Sequence, residues 1–218
     1  MEPILENVLS FYNKLTKKQR DLLKHNTHRY EFKQSEMLNH DRNECKGIEI
    51  IVSGQARVFI SSLHGSQITL YRLFDNDVCI LSAGCMLKNL DIPIEIEFEK
   101  DTEMYVIDNY IFKKICDENI HVKEFVLEEL AMKFSDVMWL FNQYVFSNNA
   151  NRLAEALIHH VSIQECMDLK ITHEVLANDM GTAREVVTRL LKQFQKDKIV
   201  KLGRGKIEIL DFEELKRI

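Results

Sequence analysis

The hydrophobic periodicity of this sequence changes from that of strands to that of helices near Asp108, and this change constrains the fold more than any other feature. Between Thr27 and Asp108, short segments rich in Ile, Val, Phe and Tyr alternate apolar and polar residues, with glycines and Asp75-Asn76-Asp77 between them. Several short strands joined by turns predict an antiparallel roll. From Asn109 onwards, apolar residues recur every three or four positions, which predicts helices. We therefore expect an α+β chain that begins with a jelly-roll-like antiparallel β-roll.

The longest predicted helix runs from about Ile120 to Phe146. Its apolar positions advance by three or four residues, close to a heptad pattern, and the segment is longer than most globular helices. A helix packed on its own domain is one interpretation, but the continuous stripe favours the seam of a two-stranded homodimer. The residues assigned to this seam are Val126, Leu130, Phe134, Val137 and Phe141.

A polar segment, "SNNANR" at 147–152, separates this helix from a region of different composition. That region is predicted to contain three helices, followed by two short strands around Gly203-Arg204-Gly205. We therefore expect a sensor roll at 1–118, a dimerisation helix at 119–147 and a winged helix-turn-helix at 148–218.

Charge is distributed unevenly along the chain. The net charge of the 218 residues is −5, yet the segment from Arg184 to Lys206 holds eight basic and two acidic side chains. A local basic segment in an acidic chain is the electrostatic footprint that binding to nucleic acid requires, although a solvated helix face would have the same composition.

The segment "THEVLANDMGTAREVVTRLLKQFQK" combines this charge with the spacing of a helix-turn-helix. Thr172 can cap a first helix, and Gly181 supplies the tight turn. The second helix would bury its apolar residues and expose Arg184, Glu185 and Arg189 near its start, where a recognition helix enters the major groove. Arginine can donate two hydrogen bonds to guanine, and glutamate can accept one from cytosine. We also expect Glu185 to pair with Arg189, four residues away.

Other polar side chains of this region are predicted to contact the DNA backbone, which positions a protein without reading sequence. They are Thr172, Thr182, Thr188, Lys192, Lys201, Arg204 and Lys206.

At this point the chain resembles the Crp/Fnr transcription regulators. The resemblance rests on "ITHEVLANDMGTAREVVTRLLKQFQKDKIV" with a following β-wing, on the R-E-x-x-x-R of Arg184, Glu185 and Arg189, and on the order roll, long helix, hinge and winged helix. It implies a homodimer that binds a pseudo-palindromic operator in double-stranded DNA under the control of a signal sensed in the roll. RNA polymerase is a further candidate partner.

Cyclic AMP does not fit as the effector of this chain. Where the cyclic-nucleotide regulators of the family have a G-E-L segment and an Arg-Ser pair, this chain has Asp77-Val78-Cys79-Ile80-Leu81 and Ile92-Pro93. The following Glu95, Glu97 and Glu99 would repel a phosphate, and their alternation is typical of a solvated strand edge. The first cysteine is Cys45, so the N-terminal cysteine cluster that would hold an iron–sulfur centre is not present.

The segment "DVCILSAGCML" is instead similar to the haem-binding segment of the carbon-monoxide sensors of the family. Cys79 matches their cysteine ligand, but no histidine follows within the segment. The effector candidates are Cys79, Leu81, Ser82 and Cys85. One interpretation is that they take part in haem binding or thiol redox chemistry, and the other is that they only pack in an apolar core.

The remaining function classes have less support. The sequence contains no nucleophile elbow, phosphate loop or H-E-x-x-H motif, so we do not expect an enzyme. No signal peptide or membrane span is predicted, and a cytoplasmic location without membrane contact is expected. The alternative function is a small-molecule or haem-binding module that reads no bases, in which the basic helix only packs.

Overall fold

The computed structural model describes residues 1–39, 47–62, 65–80 and 94–218. These residues divide into two units, the first comprising Met1–Ile60 and Leu70–Val137 and the second comprising Ser61–Thr69 and Met138–Ile218. The predicted α+β class, with antiparallel sheets first and helices after them, is confirmed.

The first unit begins with short helices that pack on a roll. Helix α1 spans Glu2–Val8, a 3-10 turn spans Tyr12–Lys14, and α2 spans Lys17–His25. Thr16 and Gln19 close a reciprocal capping box at the start of α2, as the sequence T-K-K-Q predicts.

Eight strands follow in the described part of the chain. They are β1 (Thr27–Phe32), β2 (Met37–Asn39), β3 (Gly47–Ser53), β4 (Ala56–Ser61), β5 (Gln67–Leu73), β6 (Val78–Cys79), β7 (Glu95–Phe98) and β8 (Thr102–Asp108). They form two four-stranded sheets of order β1-β8-β3-β6 and β2-β7-β4-β5. The alternation of side chains in β3 explains why both of its faces are buried. Ile48 and Ile50 join the core beneath the N-terminal helices, whereas Ile51 joins the core inside the roll.

The helices of the first unit begin where β8 ends. Helix α3 spans Asn109–Glu118, capped by Asp108, whose carboxylate accepts a hydrogen bond from the Ile111 amide at 3.1 Å. Helix α4 spans Ile120–Phe146, the bounds that the sequence predicts. Its first turns bury Val122, Phe125 and Val126 in the core beneath α1 and α2.

The second unit contains α5 (Asn149–Gln164), β9 (Asp168–Leu169), α6 (His173–Met180), α7 (Arg184–Lys196), β10 (Val200–Gly203), β11 (Lys206–Ile209) and α8 (Phe212–Leu215). Its small sheet has the order β10-β11-β9, and its own core joins α5, α6 and α7 to the sheet. Only Ser147 and Asn148 separate α4 from α5, because Asn148 caps α5 by accepting hydrogen bonds from the Ala150 and Asn151 amides. The predicted hinge is therefore shorter than "SNNANR".

Candidate nucleic-acid interface

The turn between α6 and α7 depends on a glycine. Gly181 has a φ of 55° and ends α6 in the left-handed conformation, as predicted. A Cβ atom at this position would also collide with the hydroxyl of Tyr144. At the other end of α6, the Thr172 hydroxyl accepts a hydrogen bond from the Val175 amide at 3.2 Å. These two ends fix where α7 begins.

The carbonyl of Met180, just before this turn, is held by two side chains. The hydroxyl of Tyr144 donates to it at 2.7 Å, and the guanidinium of Arg152 donates to it at 3.2 Å. Arg152 also lies over the Tyr144 ring, 4.7 Å from its centroid. The last turns of α4 and the first turn of α5 are thus bonded to the end of α6.

A buried hydrogen bond joins α5 to α6. His160 Nε2 lies 2.7 Å from a carboxylate oxygen of Asp179, and both side chains are more than nine-tenths buried. The other carboxylate oxygen of Asp179 accepts a hydrogen bond from the Thr69 hydroxyl at 2.7 Å. The sequence does not reveal this pair, because no spacing along the chain links His160 to Asp179.

Helix α7 separates its residues cleanly between two faces. Val187, Leu191 and Phe194 are buried in the core of the second unit. The other face forms one open, shallow concavity lined by Arg184, Glu185, Thr188, Arg189, Lys192, Gln193 and Lys196. The three predicted base-reading residues are all exposed at its beginning.

One expected contact on this face is not formed. Glu185 and Arg189 are both within the described residues, and no ion pair joins them there. The prediction that Glu185 pairs with Arg189 was therefore wrong. A solvated i, i+4 pair gains little free energy, so both side chains stay available to a ligand.

Thr188 has a partner that the sequence did not predict. Nδ1 of His173, the first residue of α6, lies 2.9 Å from the Thr188 hydroxyl. Burial lowers the pKa of His173 from its ordinary value, and the positive charge of Arg184 lowers it further. His173 thus belongs to the same polar surface as the recognition helix.

The other predicted backbone contacts lie around this surface. Thr182 lies in the turn, where its amide donates to the Ala177 carbonyl at 2.9 Å. In the wing, Lys201 pairs with Glu208 at 3.0 Å, and Lys206 pairs with Asp168 at 3.1 Å. Arg204 is exposed between β10 and β11. Because both wing lysines are more than half exposed, their ion pairs are weak and can exchange for phosphate contacts.

Helix α4 exposes an apolar stripe to solvent, but this stripe differs from the predicted one. Val126 is only 5% exposed and packs in the core of its own unit, and Leu130 packs against the same unit. The prediction that Val126 and Leu130 belong to the dimer seam was therefore wrong. Val137, another predicted seam residue, is half-buried. Phe134 and Phe141 are 67% and 58% exposed. They belong to a heptad pattern of exposed residues that also contains Ile120, Leu127, Ala131, Met138 and Val145.

Among the effector candidates, Cys79 lies in the roll core and is fully buried. Its sulfur is 3.6 Å from the hydroxyl of Tyr71, and the ammonium group of Lys133 lies over the Tyr71 ring, 4.6 Å from the centroid. Burial raises the pKa of Tyr71 well above its ordinary value, so the phenol stays protonated. Leu81, Ser82 and Cys85 lie outside the described residues.

The run Glu95, Glu97 and Glu99 is not a solvated edge, so that prediction was wrong. Glu97 pairs with Arg57 at 3.0 Å, and Glu99 pairs with Arg72 at 2.9 Å. Both arginine side chains are at most 3% exposed. The carboxylates instead neutralise two buried cations on neighbouring strands.

Within the described ranges, no cluster of three or more His, Cys, Asp or Glu side chains could hold a metal ion. Among the same residues, no helix combines the length and hydropathy needed to cross a membrane.

This chain is similar to a known domain family and to several known proteins. The model of the Crp-like helix-turn-helix domain matches residues 151–218. A crystal structure from Eubacterium rectale, of a protein assigned to the Crp/Fnr family of transcriptional regulators, is 40% identical. The match covers 97% of this chain and 98% of that chain with a TM-score of 0.93.

Two regulators from Thermus thermophilus are also similar. The cyclic AMP receptor protein is 23% identical over 173 residues, 79% of each chain. The transcriptional regulator SdrP is 38% identical over 50 residues, which span 23% of this chain and only 25% of SdrP. These relatives are transcription regulators and not enzymes. The chain belongs to the Crp/Fnr family of transcriptional regulators, and its C-terminal region is a DNA-binding helix-turn-helix domain.

Proposed function

We propose that this protein is a homodimeric regulator that binds a specific pseudo-palindromic operator through α7 and responds to a small-molecule, gas or redox signal in its roll. The observation that carries this proposal is the exposed polar face of α7, whose opposite face is buried. Arg184, Glu185 and Arg189 are exposed together at the start of α7, which is the part of a recognition helix that enters the major groove. This argues against a sensor module that reads no bases.

The base-reading residues differ in the chemistry they offer. Arg184 and Arg189 can each donate two hydrogen bonds to O6 and N7 of guanine, and Glu185 can accept one from N4 of cytosine. Because these side chains are not paired with each other, they lose no ion pair on entering the major groove. The backbone contacts proposed around them are Thr172, Thr182, Thr188, Lys192, Lys201, Arg204 and Lys206.

The proposed dimer pairs α4 with α4 of a second copy. The exposed residues alternate in steps of four and three, from Leu127 through Ala131, Phe134, Met138 and Phe141 to Val145. This is the spacing of a left-handed coiled coil, in which each apolar side chain fits a hole on the partner helix. Burying one such large side chain contributes about 1.5–3 kcal/mol, which favours pairing of the two stripes. A two-fold dimer would present two copies of α7 to two half-sites of the operator.

The proposed domains follow from these roles: the roll at 1–118 as sensor, the helix at 119–147 for dimerisation and the region 148–218 for DNA binding. A signal in the roll can alter DNA binding only if the effector binds two arrangements of the protein with unequal affinity. We place the effector near Cys79, with Leu81, Ser82 and Cys85 as further candidates. Haem is one possible cofactor, and RNA polymerase is a proposed partner.

Titration of an operator duplex at several salt concentrations tests the DNA-binding proposal. Affinity for a preferred duplex should exceed affinity for a scrambled one, and both should fall steeply as salt rises because each dimer makes several phosphate contacts. Equal affinity for the two duplexes would leave only non-specific binding and contradict base reading.

The sensor role of Cys79 is tested by Cys79→Ser, with Cys166→Ser as the exposed control. We expect Cys79→Ser to change how operator affinity responds to oxidant, carbon monoxide or nitric oxide, while the fold is retained. Cys166→Ser should behave as the parent protein does. An unchanged response of Cys79→Ser in every condition would remove this thiol from sensing and favour an apolar ligand in the roll.

A further inference from the structure

His173 lies on the proposed DNA-binding surface, but it is not among the residues proposed to contact DNA. It is the first residue of α6, yet its ring reaches the middle of the recognition-helix face, where Nδ1 is 2.9 Å from the hydroxyl of Thr188. Thr188 lies among the side chains that line the polar face of α7, between Arg184 and Lys192. A hydrogen bond from one helix thus fixes a hydroxyl on the other.

The proton in this contact can belong to either partner. A neutral ring whose Nδ1 is unprotonated accepts the hydroxyl hydrogen of Thr188, which leaves only oxygen lone pairs facing outwards. A protonated ring must donate from Nδ1 to the Thr188 oxygen, and the hydroxyl hydrogen is then free to point towards a ligand. When the neutral ring carries its hydrogen on Nε2, protonation of His173 therefore changes Thr188 from an acceptor into a donor on the surface that faces DNA.

We propose that His173 is a positioning residue that links operator binding to proton uptake by setting the hydrogen-bonding direction of Thr188. The inference rests on the proposed DNA binding by α7. A duplex presents phosphate oxygens, which accept hydrogen bonds and attract cations. It therefore favours the form in which Thr188 donates and the imidazole is charged.

The surroundings of the ring set the direction of the pH dependence. In the free protein, burial and the charge of Arg184 lower the pKa of His173, and no described carboxylate is hydrogen-bonded to the ring to oppose them. Arg184 is the charged group on α7 that lowers the pKa of the ring. The neighbouring Glu174 is exposed, and Lys192 lies on the polar face of α7 beyond Thr188. Bound phosphates raise the pKa again, because they stabilise the cation. Between the lowered and the raised pKa, operator affinity rises as pH falls, and above the raised pKa this gain is lost.

Operator affinity measured between about pH 5.5 and 8 at constant salt tests the proposal. In the parent protein, affinity should rise as pH falls by up to about tenfold per pH unit for each His173 that takes up a proton. The variant His173→Asn places a non-titrating amide where Nδ1 lies, so the rise of operator affinity at low pH should be lost. The control His28→Asn, an exposed histidine of β1, should keep the parent profile.

A second variant tests the role of Thr188 itself. Thr188→Val removes the hydroxyl but keeps the β-branched shape, so the rise at low pH should shrink severalfold while His173 remains. A rise of parental size in His173→Asn would overturn the link to this ring, and one of parental size in Thr188→Val would overturn the positioning through Thr188. Failure of the parent protein to prefer any duplex would instead refute the proposed function.

Discussion

Helices α7 and α4 each bury one face, and the difference between their exposed faces indicates what each helix binds. The exposed face of α7 is polar and mostly cationic, with Arg184, Arg189 and Lys192 lining the same concavity. The exposed surface of α4 carries an apolar stripe, with Leu127, Phe134 and Phe141 at intervals of seven residues. A cationic face is stable in water and gains most from a polyanion, whereas large apolar side chains gain by leaving water.

The contacts made by the two helices should respond differently to salt concentration. Contacts between α7 and phosphates should weaken steeply with salt, because bound counterions are released when the complex forms. Contacts between two copies of α4 should depend little on salt, because apolar burial involves no counterions. The variants below test each face in turn.

The largest effect is expected from Phe134→Glu. In a symmetric pair the new carboxylate would be buried twice near the middle of the seam, so the dimer should dissociate. Sedimentation equilibrium measures the change in dimer affinity, and operator affinity should fall with it because a monomer reaches one half-site only.

Met132→Glu is the matched control for this substitution. Met132 is also exposed and apolar, but it lies two residues away on the other side of the helix. It should leave the dimer intact. A dimeric Phe134→Glu variant would place the interface elsewhere.

Arg184→Ala should have the next largest effect, on recognition and not on assembly. Loss of a bidentate contact to guanine costs about 1–3 kcal/mol at the matching base pair and relaxes the preference there. Lys201→Ala provides the contrast, since a lost phosphate contact weakens all duplexes about equally. The measurement is competition among duplexes that differ at single positions. Intact discrimination in Arg184→Ala would show that another residue reads that base.

The smallest effect is expected from Tyr144→Phe, which alters the contact between α4 and the recognition turn. This change removes the 2.7 Å hydrogen bond to the Met180 carbonyl but leaves the bond from Arg152. Because the carbonyl keeps one donor, the free energy of unfolding should fall by about 0.5–1.5 kcal/mol. Thermal or urea unfolding measures this loss. Tyr110→Phe, at an exposed position of α3, should leave the free energy of unfolding unchanged. Equal losses of stability in the two variants would show that the hydrogen bond from Tyr144 does not stabilise the fold.

Elements with strong periodicity were predictable from the sequence, whereas contacts between distant residues were not. The bounds of α4 and the position of Gly181 follow from apolar spacing and from turn chemistry. The seam was partly misassigned because Phe125, Val126 and Leu127 are three consecutive apolar residues. Two apolar stripes therefore run along α4, one towards the core and one towards solvent, and periodicity alone does not distinguish them.

The unpredicted polar contacts have a common physical reason. Arg57 and Glu97 meet through strand register, and His173 meets Thr188 through the packing of two helices. Neither pair has a spacing along the chain that marks it in advance. The charge of Glu97 suggested a solvated edge, and only the fold brings a buried cation to it. Local rules thus predict which face of an element is polar, but they do not predict its partner.

Selection of duplexes from a random pool by the intact protein tests the central claim most directly, because it tests both exposed faces together. If paired α4 helices carry two copies of α7, the recovered sequences should contain a two-fold symmetric motif with half-site centres about 10 base pairs, or a multiple of one turn, apart. Selection with Arg184→Ala should lose preference at one position in each half-site. Recovery of a single unpaired half-site, or of no motif at all, would contradict the account.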